Sequence, residues 1–285
     1  VGSLHLDVIV TAPHLPREDE TVTGSAVTYA FGGKGGNQAV AAARMGARVA
    51  MAGAVGDDAF AARLLAGLAG VDATGVRVVP GPSGMSVAIM QPDGSYGAVI
   101  VSGANLAIDA GAVEVPPDAR VLVLQNEVPE AVNLSVARRA RAAGVTVVMN
   151  AAPARAMDAG MLQLVDVLVV NRVEAEALAG SRDPAAAAQA LAALGPGRVI
   201  VTLGAGGLVL CDGAVTAHPA REVAVVSSHG AGDAFIGALA ARLDAGEGLA
   251  DAAAFAQGAA ALHVSSAVAA RGEITAERVA AFLRG

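Results

Sequence analysis

"VDVLVVNRVEAEALAG", residues 165–180, decides the fold. Val167–Val170 form an unbroken β-branched and leucine run, ending in Asn171. The next residues have helical spacing, which stops at Gly180. A strand without a polar face must be covered on both sides, as strands of parallel sheets are. A strand that feeds straight into a helix is the repeating unit of such sheets. The pattern recurs outward in both directions. Strands are expected at 7–10, 47–55, 119–125, 145–150, 165–171, 198–204 and 208–212. Helices are expected at about 34–45, 57–68, 130–143, 173–180, 184–194, 232–244, 248–265 and 275–284. The reading is an α/β fold with a mostly parallel central sheet. Ligands of such sheets gather beyond the C-terminal ends of the strands.

Two stretches break the rhythm. Residues 11–31 hold two prolines, an acidic run and an alternating segment, and 84–101 read as two strands around the turn "PDGS". Neither has a crossover helix. They are expected to form a small separate sheet, a lid over the site; a hairpin on the edge of the main sheet is the alternative.

Composition narrows the function. Hydrophobic residues make up 54% of the 285 but aromatics only 2%, so the core must be built from Ala, Val and Leu. The formal net charge is −7 and the basic residues are scattered, which argues against a nucleic-acid partner. No apolar run approaches the ~18 residues of a membrane span. The single cysteine, Cys211, sits in the apolar run "GLVLCDG" and reads as a buried inert thiol, consistent with a reducing cytoplasm. The histidines at 5, 14, 218, 229 and 263 show no metal spacing.

Five stretches can carry chemistry. In "SSHGAGDAFIGALAARL" (227–243), Gly230, Ala231 and Gly232 offer backbone N–H groups where a helix dipole adds partial positive charge. Such a turn can stabilise a phosphoryl group in flight. Asp233 can take the proton of an attacking hydroxyl, or can be a plain helix-start acid. In "FGGKGGNQAVAAARMGA" (31–47), four glycines surround Lys34, and Asn37 opens the helix. The spacing fits neither a Walker A loop nor a dinucleotide fingerprint, and leaves a turn that brings an ammonium and an amide to a polar ligand, or a tight turn with a solvated lysine. Asn171 and Glu174 can organise water around Mg²⁺ or form a capping box, and the two roles can coexist. "VIVTLGAGGLVL" (199–210) reads as a hairpin whose bare backbone can face a nucleotide. Asp7 interrupts an apolar strand and needs a ligand hydroxyl or a protein donor.

Taken in order, "GS…D", "GGKGGNQA", "QNEVP", "MNAAPA", "VNRVEAE", "VTLGAGG" and "GAGDAFIGAL" resemble the ribokinase-like (PfkB) carbohydrate kinases over essentially the whole chain. The resemblance implies an αβα sandwich with a small β-sheet lid, often used for dimerisation. It implies phosphorylation of a sugar hydroxyl with ATP and Mg²⁺. It makes Asp233 the base and Gly230, Ala231 and Gly232 the anion hole. Asp7, Gly33, Lys34, Asn37 and Glu127 go to the sugar, and Asn171 and Glu174 to phosphate and Mg²⁺. Thr202, Gly204 and Gln257 go to the nucleotide. The family pattern has Asn where this chain has His5. It also has an Asp–Thr pair, whose Asp helps to bind K⁺, where this chain has Ser227 and Ser228. The segment "SAVAARGEI" (266–274) lacks the Gly and Ser of the other K⁺ loop, so weak or absent K⁺ activation is expected. The rivals are a nucleoside kinase of the same fold, which could stack a base only on Tyr29 or Phe31, and a sugar- or nucleotide-binding protein without turnover.

Overall fold

The computed structural model describes residues 1–92 and 95–285. The chain runs β1 (His5–Thr11), β2 (Ala26–Gly32), α1 (Lys34–Arg44), β3 (Ala50–Gly56), α2 (Ala61–Gly67), β4 (Asp72–Val79), β5 (Gly84–Met90) and β6 (Tyr96–Val101). It continues β7 (Val121–Gln125), α3 (Glu130–Ala142), β8 (Thr146–Asn150), α4 (Ala159–Leu162), β9 (Val167–Asn171), α5 (Arg172–Ala179), α6 (Pro184–Ala193) and β10 (Arg198–Thr202). Last come β11 (Leu208–Asp212), β12 (Ala214–His218), α7 (Ala231–Asp244), α8 (Leu249–Ser265) and α9 (Ala276–Arg284).

The main sheet has the order β12-β11-β10-β9-β8-β7, parallel from β7 to β10 and antiparallel at β11 and β12. Its strands are apolar on both sides because both sides are covered. Val147, Met149, Leu168, Val170, Val199 and Val201 pack with α3, α5 and α6 on one face. Val148, Val167, Val169, Ile200, Leu208 and Leu210 pack with α7, α8 and α9 on the other. Buried alanines such as Ala187, Ala188, Ala252 and Ala256 let those helices approach closely, which explains a core nearly free of aromatics. Cys211 is buried, as expected. Among the described residues, no helix is long and apolar enough to cross a membrane.

Two expectations about strands need correction. Strand β1 does not join the parallel sheet: it is the second strand of a separate four-stranded sheet, β2-β1-β5-β6. Parallel pairing on that side is made instead by β3 with β4, a strand the sequence conceals because it is mostly exposed and weakly patterned. Residues 1 and 2 lie between the two parallel sheets. The Val1 amine donates to the Val123 carbonyl at 3.0 Å, and the Gly2 N–H to the Ala52 carbonyl at 3.1 Å. The small sheet draws on both stretches that broke the rhythm, and the PDGS turn between β5 and β6 has its two central residues outside the described residues.

Helix α1 starts on a bed of backbone. A Cβ on Gly33 (φ 88°) would lie 2.7 Å from the His5 nitrogen and 2.8 Å from the Ser3 oxygen. One on Gly35 would lie 2.5 Å from the Ser3 nitrogen. The Gly36 N–H donates to the Ser3 carbonyl at 3.0 Å. These glycines therefore seat the helix against residues 2–5. Gly237 does the same where α7 crosses α1, since a Cβ there would meet Ala41 Cβ at 2.4 Å and the Ala42 nitrogen at 2.7 Å. Gly46 (φ 93°), with nothing within 4 Å, is a useful control. Gly46→Ala carries backbone strain alone, about 1–2 kcal/mol. Gly33→Ala carries that strain and the collision, and is expected to lower the melting temperature clearly more in parallel thermal unfolding scans.

Candidate active site

The C-terminal ends of four neighbouring strands put polar side chains along one edge. Gln125 pairs with Asn150 in register, and Asn171 with Thr202. Helices α1 and α7 begin beside that edge. Gly230 takes the left-handed conformation that turns the chain into α7 (φ 78°, ψ 1°). The Ala231 N–H is engaged, donating to the Ser228 carbonyl at 3.2 Å. Among the described residues nothing accepts from the N–H groups of Gly230, Gly232 or Asp233. A Cβ on Gly232 would meet nothing within 4 Å, so a ligand can approach these donors closely. A helix start with open N–H groups is suited to an anion.

Asp233 sits in the first turn of α7 and is held from α1. Asn37 Nδ2 donates to its Oδ2 at 3.1 Å and Gln38 Nε2 to its Oδ1 at 2.9 Å. Burial pushes its pKa up, while Lys34 and the two amides pull it back. A carboxylate with a raised pKa is a stronger base at neutral pH than an exposed aspartate. Gln38, absent from the residues the sequence points to, is buried and fully used. Its Nε2 also donates to Asn150 Oδ1 at 3.1 Å, and its Oε1 accepts from Gln125 Nε2 at 2.9 Å. One signal for it exists in the sequence: Gln38 lies one helical turn after Lys34, a polar residue in an otherwise Ala/Val face.

Across from Asp233 lies a second group of carboxylates. The Asp7 side chain leans over Gly32, where an added Cβ would lie 2.2 Å from its Oδ2. No described residue donates a hydrogen bond to it. Burial raises its pKa to about 6; His229 draws it back and the charges of Glu127 and Asp233 push it further up. Glu127, with its side chain 7% exposed, accepts from the Lys34 N–H at 2.8 Å and from the Ser3 hydroxyl, both on Oε2. Its Oε1 takes part in neither bond. The Lys34 ammonium acts electrostatically on Asp233, Glu174 and His5. Gly33 adds backbone contact rather than a polar group.

His5 is closed in, 2% exposed, with Nδ1 3.9 Å from Glu127 Oε2 and Nε2 without a partner. Burial lowers its pKa, Glu127 opposing and Lys34 adding to the shift. Its burial thus favours the neutral imidazole.

The remaining predicted residues lie at the ends of β9 and β10 and, for Gln257, on α8. Asn171 and Glu174 form a capping box: Asn171 Oδ1 accepts from the Glu174 N–H at 2.9 Å, and Glu174 Oε2 from the Asn171 N–H at 2.8 Å. Glu174 is buried, its pKa is raised by that burial, and the Asn171 bond and Lys34 oppose the shift. The cap leaves its Oε1 uncommitted. Among the described residues, no three His, Cys, Asp or Glu side chains converge to cage a metal. One free carboxylate oxygen fits Mg²⁺ held through water, the mode that ion favours beside phosphates. Thr202 ends β10 with its hydroxyl 3.4 Å from the Val170 carbonyl, and Gly204 (φ 60°) opens the turn after it. Gln257, on α8, donates to the His218 carbonyl at 3.4 Å.

An open helix start suited to an anion, a carboxylate of raised pKa beside it and the further carboxylates Asp7 and Glu127 nearby are groups that a transfer of phosphate to a hydroxyl can use. The chain matches the family "pfkB family carbohydrate kinase" over residues 1–275. It belongs to that family. The kinase is 36% identical over 256 residues to the ribokinase of Mus musculus, covering 84% of this chain and 79% of that one. It is 34% identical over 254 residues to a deoxyribokinase of Salmonella typhi, covering 84% and 83%. The structure of Arabidopsis thaliana ribokinase complexed with ribose and ATP superposes with a TM-score of 0.91 at 29% identity, covering 100% of this chain and 97% of that one. The kinase thus has the ribokinase fold, and its activity is ATP-dependent phosphorylation of a sugar.

The Asp7 carboxyl gives a pH prediction. Its folded pKa, about 6, lies above the ordinary value of 3.8. Between these values the folded state holds more protons than the unfolded one, so stability falls as pH rises through this window. Asp7→Asn, free of that penalty, is expected to melt above the sugar-free wild type at pH 7–8, with the gap closing towards pH 4. Thermal scans across pH check this; a gap independent of pH would show that Asp7 is not strained.

Proposed function

We propose that the kinase moves the γ-phosphoryl group of ATP to a hydroxyl of ribose or a closely related pentose. The observation that carries this reading is the Asp233 carboxylate, gripped at both oxygens by Asn37 and Gln38 beside the open N–H groups of α7. In this mechanism Asp7, Glu127, Lys34 and Asn37 fix the sugar hydroxyls. Asn171, Thr202, Gly204 and Gln257 lie along the nucleotide. The reacting hydroxyl gives its proton to Asp233 as its oxygen bonds to the γ-phosphorus, and the bond from that phosphorus to the bridging oxygen of ADP breaks. The open N–H groups of Gly230 and Gly232 and the Lys34 ammonium take up the charge that develops, while the Ala231 N–H, expected from the sequence to join them, is committed to the Ser228 carbonyl. Glu174 and Asn171 would hold Mg²⁺ through water, and the ion would supply charge neutralisation along the phosphates.

A sugar fits better than a nucleoside because neither aromatic candidate is free to stack. The Phe31 ring is packed against Gly36 and Gly67, where added Cβ atoms would lie 2.5 and 2.1 Å from it. Tyr29, paired with Val8, lies on the face of the small sheet opposite to Asp7, with the Arg63 guanidinium 5.7 Å from its ring centre. Asp233→Asn is expected to lose ~10²–10⁴ in kcat with ribose affinity little changed. Coupled ADP-release assays and calorimetry on the same variant check both halves. A parallel panel of ribose, 2-deoxyribose, hexoses and nucleosides tests the sugar, and preferential turnover of a nucleoside would reassign the substrate.

The small sheet also supports a homodimer. By register, Val8, Val10, Val27, Tyr29, Val87, Ile89, Val99 and Val101 share one face, while Asp7 and Ser86 point the other way. Val27 and Val99 are 53% and 67% exposed. A contiguous apolar face of this kind marks an association surface. The wild type is expected to sediment as a dimer and Val99→Glu as a monomer; a monomeric wild type would remove the proposal.

A further inference from the structure

The loop leading into the anion hole hangs on one buried guanidinium. Arg271, in the short 3-10 segment Val268–Glu273, is 8% exposed. Its Nη1 donates to the His229 carbonyl at 2.9 Å and its Nη2 to the Ser227 carbonyl at 2.7 Å. His263 Nε2 donates to the same His229 oxygen at 3.0 Å. The Arg271 carbonyl is in turn held by Arg44 Nη1 at 3.4 Å. No carboxylate among the described residues pairs with Arg271, and its Nε is buried without a partner. A buried cation that meets only carbonyl dipoles is costly unless a counter-charge arrives from elsewhere.

Peptide geometry shows where that charge would come from. The His229 carbonyl and the Gly230 N–H are the two ends of one planar, resonance-coupled unit. A charge-assisted hydrogen bond on the oxygen polarises the unit and strengthens its N–H as a donor, as in hydrogen-bond chains generally. The Gly230 N–H is one of the open donors at the start of α7. Because Arg271 grips both Ser227 and His229, it also fixes the path of the backbone into Gly230.

We propose that Arg271 is the positioning residue of the anion hole, a cation built into the chain that fixes the 227–230 loop and polarises the His229–Gly230 peptide towards the transferring phosphoryl group. This rests on the reading of the open Gly230 and Gly232 N–H groups as the anion hole. It has a consequence for ions in solution: the two carbonyls already hold a cation, so turnover is indifferent to the monovalent cation supplied.

The test is steady-state kinetics with D-ribose and MgATP for wild type, Arg271→Ala and Arg271→Lys, in choline, Na⁺ and K⁺ buffers, with and without low millimolar guanidinium. The alanine variant is expected to lose about 10–10²-fold in kcat, less than deletion of an anion-hole donor itself, with ribose KM nearly unchanged. Guanidinium or K⁺ is expected to restore part of the loss, while the wild type responds to neither. An unchanged kcat in the alanine variant overturns the proposal. So does a loss that no cation restores and that tracks a fall in melting temperature and ribose affinity, and so does a wild type that requires K⁺. If Arg271→Ala does not fold, Arg271→Lys decides, because it keeps the charge but loses the two-pronged grip. A roughly 10-fold lower kcat at unchanged KM supports the role, and a wild-type kcat removes it. Asp233→Asn run alongside separates the two levels. Full turnover by that variant sinks the catalytic reading and this inference with it. Loss there with normal Arg271 variants sinks this inference alone.

Discussion

Everything at the site depends on one turn of α1 meeting one turn of α7. Asp233 is a partly buried charge, and a buried charge survives only when its lone pairs are satisfied. Both donors come from adjacent residues, Asn37 and Gln38, which are 196 and 195 residues away in the chain. They reach Asp233 because no side chain keeps the helices apart. Gly33, Gly35 and Gly36 seat α1 on residues 2–5, and Gly237 lets α7 close on Ala41 and Ala42. The glycine-rich motif is therefore foremost a packing device. It makes a binding site by bringing the right backbone and amides within reach.

Charge in the site is deliberately one-sided. Burial raises the Asp7 pKa, and the neighbouring charges of Glu127 and Asp233 push it further up. Acceptors of this kind suit a ligand that brings hydroxyl donors and no charge of its own. Cations stand close by: the Lys34 ammonium is felt by Asp233 and Glu174, and Arg271 backs the loop before α7. A neutral polyol entering one half and a polyanion entering the other would each relieve an imbalance that the empty protein bears.

Much of this was legible in the sequence because the physics was local. The apolar run at 167–170 had to be covered on both faces, and it is. The strand ends at Asn171 and Thr202, the capping box and the glycine turn before Asp233 each arise from nearest neighbours. What stayed hidden was non-local. Strand β4 is an exposed edge whose pattern acquires meaning only beside β3. Strand β1 reads like a parallel strand but pairs with β2 and β5 in the small sheet. Gln38 and Arg271 look like ordinary helix and surface residues until Asp233 and the 227–230 loop are brought to them. Tyr29 and Phe31, the two rings that could have met a base, are accounted for only by Arg63 and by Gly36 and Gly67.

Strand β1 also imposes a discipline of its own. Alternate residues serve opposite surfaces, with Asp7 on one face and Val8 and Val10 on the other, where Val8 packs on the cluster of Leu4 and Leu6. Shifting its alignment by a single residue would exchange them all at once, putting a valine in the place of Asp7 and an acid among apolar neighbours. A slipped zipper of this strand is therefore penalised on both faces at once, by a buried acid on one and a lost apolar contact on the other.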